Sequence, residues 1–278
     1  MRVIDMHLNP LARPQLERVE TASATDLAEA CQKFGEQFGG LGIQRGVMVL
    51  LNPEILEGLG HERTRPAALK EGRFVFAYAP DFRRADALER LSVARELGVR
   101  ALKFHPYLQQ IERADYARAR IVAQAAETLG MFVMVCCAHG TRALHRYSGV
   151  QLTAYLSEQI ACPIVMSHAG GARILDAMLV AADAPNVYLD TSYSLPYYLG
   201  SSVEGDFAFA MRKLGTGRWV YGSDAPFDEL MGALEVTRRF LEVHRFSARE
   251  MDDVLYATAA GILERSDASR RGPRGSSC

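Results

Sequence analysis

The residues able to do chemistry stand in short groups, each at the end of an apolar run. Asp5, His7 and Asn9 occupy alternate positions in Val3-Ile4-Asp5-Met6-His7-Leu8-Asn9. Alternate positions of a strand share a face, so two imidazoles at i and i+2 can grip one cation from the same side. Here the second of those places holds an asparagine. Its amide oxygen coordinates hard cations but is a poor zinc donor beside imidazole, and Asn9-Pro10 is equally a turn-opening pair. Further along come Lys103 and His105, then Cys136, Cys137 and His139, then His168, then Asp190 and Thr191, and lastly Asp224. Imidazole, thiolate and carboxylate are the groups that hold zinc or a similar divalent ion, and they also serve as general acids and bases.

Something must bring these groups together, and the runs that precede them are the candidates. Short apolar or β-branched stretches recur at Val3 to Met6, Gly46 to Leu51, Phe74 to Ala79, Ala101 to Phe104, Phe132 to Cys137, Ile164 to Ser167, Val187 to Leu189 and Trp219 to Tyr221. Several are apolar throughout, as in strands of a parallel sheet buried on both faces. Helical patterns lie between them. Leu27, Cys31, Phe34 and Phe38 form one stripe in a helix expected from Asp26 behind a Thr25 cap, and Leu88, Leu91, Ala94 and Leu97 form another. Eight alternating β and α units predict an α/β fold of the (β/α)8 TIM-barrel type. The rival doubly wound sheet would carry a G-x-G-x-x-G turn after a strand, and none is present. In a barrel the C-terminal strand ends form the active face, which is where four of the seven histidines fall. One barrel domain is expected over residues 1–264. The remainder, 265–278, is rich in Arg and Ser without an apolar anchor and is predicted to be a disordered tail.

Composition narrows the partners. With 278 residues, a net charge of −1, 49% hydrophobic and 23% charged residues, the chain reads as an ordinary globular protein. No run reaches the roughly 18 apolar residues of a membrane helix, and no signal-peptide pattern opens the sequence, so a cytoplasmic location is the expectation. Balanced charge argues against nucleic acid or a membrane surface and for a small-molecule partner. The five cysteines are odd in number and irregularly spaced, which suits reduced thiols.

Five segments then carry a resemblance. They are Val3-Ile4-Asp5-Met6-His7, Val99-Arg100-Ala101-Leu102-Lys103-Phe104-His105-Pro106, Ile164-Val165-Met166-Ser167-His168-Ala169-Gly170-Gly171, Asn186-Val187-Tyr188-Leu189-Asp190-Thr191-Ser192, and Tyr221-Gly222-Ser223-Asp224-Ala225-Pro226. In this order they resemble the amidohydrolase superfamily, in particular the amidohydrolase-2 group that includes the aminocarboxymuconate-semialdehyde decarboxylase type. The resemblance implies a barrel with one divalent metal and either hydrolysis or non-oxidative decarboxylation. Barrels of this sort often pair, so a homodimer is the expectation. The chain departs from the family at two ligand positions. Asn9 ends the Asp-x-His-x-His motif, and Cys136 stands where a histidine is usual on strand five, unless His139 recovers that role. Three readings follow. Zinc or manganese is held by His7, Cys136 and Asp224 with Asp5 beside them and Asn9 or His139 as further donors; or Lys103 is carboxylated and joins the ligands; or there is no metal.

The catalytic roles implied are Asp224 as general base, His168 orienting the substrate or stabilising an oxyanion, and Lys103 as an electrophilic cation. His105, His139 and Arg173 are expected to bind substrate, with Arg142 and Arg146 read as solvated charges. Tyr193, Tyr197 and Tyr198 are assigned to packing of their loop. The leading function is a hydrolase acting on a C–O or C–N bond of a small carboxylated substrate, a lactone among the candidates. A carboxy-lyase acting on an unsaturated or aromatic acid is the alternative, and a barrel that lost its metal site and with it catalysis is the third.

Overall fold

The computed structural model describes residues 1–10, 24–51, 72–138 and 142–268. Its centre is a sheet of eight parallel strands in sequence order. They are β1 (Val3–Leu8), β2 (Ile43–Leu50), β3 (Phe74–Tyr78), β4 (Val99–Phe104), β5 (Phe132–Cys136), β6 (Ile164–Ser167), β7 (Val187–Asp190) and β8 (Trp219–Val220). Among the described residues, helices cross between the neighbouring strands other than β2 and β3, as parallel pairing requires. All eight expected strands are present.

The sheet meets itself between β1 and the segment following β8. Met6 N–H donates to Tyr221 O at 2.9 Å, Asp224 N–H to His7 O at 2.8 Å, and Asn9 N–H to Ala225 O at 2.7 Å. A parallel bridge joins Leu8 to Ala225. This seam lies at the strand ends where the polar residues gather.

Two apolar layers follow from burying each strand on both faces. Ile4, Met6, Val47, Val49, Ala77, Ala101, Met134 and Val165 fill the barrel, with Ile262 and Leu263 of the last helix packed among them. A larger layer packs strands against helices. The stripe Leu27, Cys31, Phe34 and Phe38 is buried in it as expected, although that helix begins at Ala24. In the helix Ala87–Glu96 the inward positions are Ala87, Leu91 and Ala94. Leu88 is exposed, one place off that face.

The expected tail boundary at 265 is corrected by the last helix, which runs from Thr258 to Ala268. Polar contacts hold its end where apolar ones are lacking. Asp267 pairs with Arg45 and Arg100, Ser266 Oγ donates to Arg100 O, and Arg95 donates to Ser266 O. Residues 269–278 lie outside the described residues.

The helix Gly149–Ser157 abuts the end of β5 so closely that a Cβ on Gly149 would fall 2.0 Å from the Cys136 carbonyl oxygen. Gly149→Ala must push the helix off the strand. We expect a loss of about 1–3 kcal/mol in urea unfolding, the usual cost of overpacking.

Candidate active site

The site is built around Asp190, the last residue of β7. Its Oδ1 accepts the N–H groups of His168 at 2.7 Å and Ser192 at 2.9 Å, together with the Ser192 hydroxyl. Its Oδ2 faces His7 Nδ1 at 3.3 Å. Burial opposes its charge, but the bond with His7, the fields of His7 and His168 and the bond with Ser192 outweigh this and hold the carboxyl well below the usual range. Asp190 is therefore an anion with every oxygen used.

Ser192 completes the arrangement. A hydroxyl has one proton to give and two lone pairs to receive. The proton goes to Asp190. The lone pairs face His7 Nδ1 at 3.1 Å and His168 Nδ1 at 3.0 Å, and His168 Nδ1 also lies 3.2 Å from Ser192 O. Both rings must then carry a proton on Nδ1. Burial, followed by the Lys103 charge, holds His7 down at about 3, so it is neutral at ordinary pH. Close packing enforces the geometry. A Cβ on Gly222 would lie 2.9 Å from the His7 Cβ and 3.1 Å from the Ser192 Cβ.

His7 Nε2 points to Asp224 Oδ1 at 3.5 Å. Ligand-capable atoms of His7, His168 and Asp224 all lie within 4.8 Å of one another, and all three residues are buried. The two rings are 4.8 Å apart. These residues fit a divalent cation: a neutral His7 with its Nε2 lone pair free, and the His168 ring beside it, each ring held through Nδ1 by a carboxylate or hydroxyl, with one carboxylate next to them. Burial pushes the Asp224 carboxyl up to about 7, against the Asn9 bond that favours its charge. Its backbone has φ of 62°, a left-handed conformation that Asp and Asn tolerate better than most residues.

The candidate donor group differs in one member from the one expected: it contains His168 and not Cys136. The Cys136 thiol hydrogen-bonds the His168 side chain and stands outside the three-donor group. Burial pushes that thiol up, but the bond to His168 and the charges of His168 and Lys103 bring it below its ordinary value. Asp5 is not a donor to this group either. Its Oδ1 accepts from His7 N–H and Ser223 N–H, both at 3.0 Å, so it ties β1 to the residues after β8, with Oδ2 buried and unpartnered. Burial pushes Asp5 up to about 7. Asn9 aims its amide Nδ2 at Asp224 Oδ1, 2.9 Å away. It therefore acts as a hydrogen-bond donor to the carboxylate in place of a ligand. His139 lies outside the described residues.

Lys103 is 1% exposed, and its Nζ donates to Ser167 Oγ at 2.6 Å. Burial lowers its pKa, opposed by the fields of Cys136, Asp190 and Asp224. It brings a positive group into the barrel mouth. The residues assigned to substrate are placed elsewhere or otherwise engaged. His105 Nδ1 accepts the Leu108 N–H at 3.3 Å and so braces its own turn. Arg173 is exposed and paired with Asp176 three residues on, which satisfies its charge away from the site. Arg146 pairs likewise with Glu112. Asp190 and Ser192 are the residues that sequence reasoning left without a role. Their strand-end position was the available signal.

A cavity of about 490 Å³ lies at the opposite end of the barrel, lined by Met131, Pro163, Pro185, Tyr188 and Ile262. It contains none of the strand-end polar groups, and the chemistry is at the other face. Among the described residues no helix is long and apolar enough to cross a membrane.

No curated protein matches the sequence. Solved structures do match the fold. An amidohydrolase from Burkholderia multivorans with bound zinc is 15% identical with a TM-score of 0.69, covering 95% of this chain and 99% of that one. A probable 2-pyrone-4,6-dicarboxylic acid hydrolase from Acinetobacter baumannii, with citric acid bound, is 14% identical with a TM-score of 0.65 over 95% of this chain and 100% of that one. A dihydroxybenzoic acid decarboxylase from Polaromonas, with bound manganese and 2-nitroresorcinol, is 12% identical with a TM-score of 0.64 over 95% and 97%. At these identities the likeness is one of fold. The amidohydrolase family profile matches residues 4–265, nearly the whole chain. With its barrel and its strand-end cluster of His7, His168 and Asp224, the chain belongs to the amidohydrolase family.

Proposed function

We propose that this protein is a metal-dependent hydrolase acting on a C–O or C–N bond of a small carboxylated substrate, a lactone being the first candidate. The observation that carries the reading is the convergence of His7, His168 and Asp224 within 4.8 Å, with both imidazoles held through Nδ1. His7, His168 and Asp224 would hold the cation. The chemistry supplied by a divalent cation in such a place is acidification of water and polarisation of a carbonyl oxygen. Asp224, facing His7 Nε2 at 3.5 Å, would take a proton from attacking water and return it to the leaving oxygen. Asn9 keeps the Asp224 carboxylate in one orientation while it does so. Lys103 supplies positive charge toward a substrate carboxylate or developing oxyanion.

Decarboxylation is the second reading. The carbanion left by departing CO₂ needs a proton that a site carboxyl could return, and a fold neighbour is a decarboxylase with bound manganese. Elemental analysis tests the shared basis. Purified protein should hold about one zinc or manganese ion per chain, and His168→Ala should hold far less. A wild-type chain that takes up neither ion after loading would overturn the metal-dependent reading. Assays on 2-pyrone-4,6-dicarboxylate and 2,6-dihydroxybenzoate then separate the reactions. Ring opening without CO₂ supports the hydrolase, and CO₂ release supports the lyase.

A further inference from the structure

Directly after Ser192 the chain makes a very tight reversal. Ser194 N–H donates to Ser192 O at 2.5 Å, two residues back, and the residue between them, Tyr193, has φ of 54° and ψ of −54°. These are the marks of a γ-turn of the rarer, strained hand. The cause is local. Asp190 fixes the Ser192 N–H and hydroxyl, His168 fixes the Ser192 carbonyl, and the helix Ser194–Tyr198 begins at the next residue. All of the reversal falls on one residue. Glycine would adopt that conformation without cost, yet a tyrosine stands there.

Its ring has a definite setting. Tyr193 meets His168 edge-on, with centroids 6.2 Å apart and planes at 79°. On its other side Tyr197 stacks on it at 5.6 Å and 17°, and Tyr198 meets Tyr197 at 5.0 Å and 81°. Tyr193 is half-buried, whereas Tyr197 is 66% exposed. The series runs outward from a ring of the three-donor group to solvent. Packing of the loop explains Tyr198, but it does not explain why the strained position beside His168 carries an aromatic ring.

We propose that Tyr193 is a specificity-determining residue of this site, a rigid aromatic wall that favours acids whose ring is planar and conjugated over saturated rings of the same size and charge. The turn sets the direction of the ring, and Tyr197 buttresses it, so little side-chain freedom is lost when a ligand packs against it. Ring-on-ring contact adds to simple burial and a saturated ring gains only the burial. This inference rests on the reading that His7, His168 and Asp224 mark the reaction centre.

Benzoate and cyclohexanecarboxylate test it, since they share charge and size and differ in planarity. Calorimetric titration of the wild-type full-length chain should show benzoate binding about 2- to 12-fold more tightly. Tyr193→Phe should keep that ratio. Tyr193→Leu and Tyr193→Gly should bring it to one, and Tyr193→Gly should melt no lower than wild type because the turn loses its strain. A wild type that binds the two acids equally or binds neither, or a Tyr193→Leu chain that keeps the preference, overturns the proposal. The ratio is read from binding alone. Failure of the metal-dependent reading would appear instead as missing metal uptake and turnover, with the ratio intact.

Discussion

Asp224→Asn lowers turnover by roughly 10²- to 10⁴-fold, the range for loss of a positioned general acid–base, while the barrel stays folded. Asparagine tolerates the left-handed backbone at 224 nearly as well as aspartate. Its side-chain oxygen can still accept from Asn9, and its N–H still donates to His7 O across the seam. What is lost is the ability to take up and give back a proton, and with it the anionic donor of the proposed cation site. The measurement is kcat on the substrate that wild type turns over, with thermal melting beside it. Unchanged kcat would remove Asp224 from the chemistry. A collapsed melting temperature would mean that the carboxylate is needed for the fold.

The second large effect is expected at Asp190, where no contact with substrate is involved. Asp190→Ala leaves the N–H groups of His168 and Ser192 buried without their acceptor, takes the carboxylate from His7 Nδ1, and loosens the Ser192 hydroxyl that both imidazoles face. Breaking a buried charged network of this kind costs about 3–5 kcal/mol. Loss of the partner that orients a ligating imidazole typically weakens cation affinity 10- to 100-fold. Asp190→Asn separates the two consequences. Its oxygen can keep the two N–H bonds, so most of the stability remains. Its NH₂ must then face His7 Nδ1, which forces the ring proton to Nε2 and removes the lone pair that faces Asp224. Urea unfolding and metal titration of both variants check this. The prediction fails if Asp190→Asn binds zinc as wild type does.

These two residues also show where sequence reading succeeds and stops. Asp224 was legible because it ends a barrel strand in a motif, and position on a barrel strand already implies direction. The strands were legible for a related reason: burial on both faces makes them apolar throughout, so even β8, only Trp219–Val220, stands out. Asp190 and Ser192 were visible as strand-end residues, but their work depends on where His7 and His168 lie, and His7 is 183 residues away from Asp190. Spacing along a chain does not reveal that one hydroxyl serves two distant imidazoles. Cys136 lies outside the candidate donor group, and His168 within it, for a similar reason. The thiol is at the correct strand end, but it faces His168 and leaves the three-donor group to others. The ordered end of the last helix was missed because ion pairs to Arg45 and Arg100, from strands far earlier, substitute for apolar anchors.

The seam between β1 and the residues after β8 has a consequence for how the protein comes into being. His7 stands on one lip of that seam and Asp224 on the other. A nascent chain emerging from the ribosome presents both imidazoles well before the carboxylate that faces them has been synthesised. No product truncated before Asp224 can assemble the donor set. Capture of a cation by this chain would therefore report that synthesis has passed Asp224 and that the seam has closed.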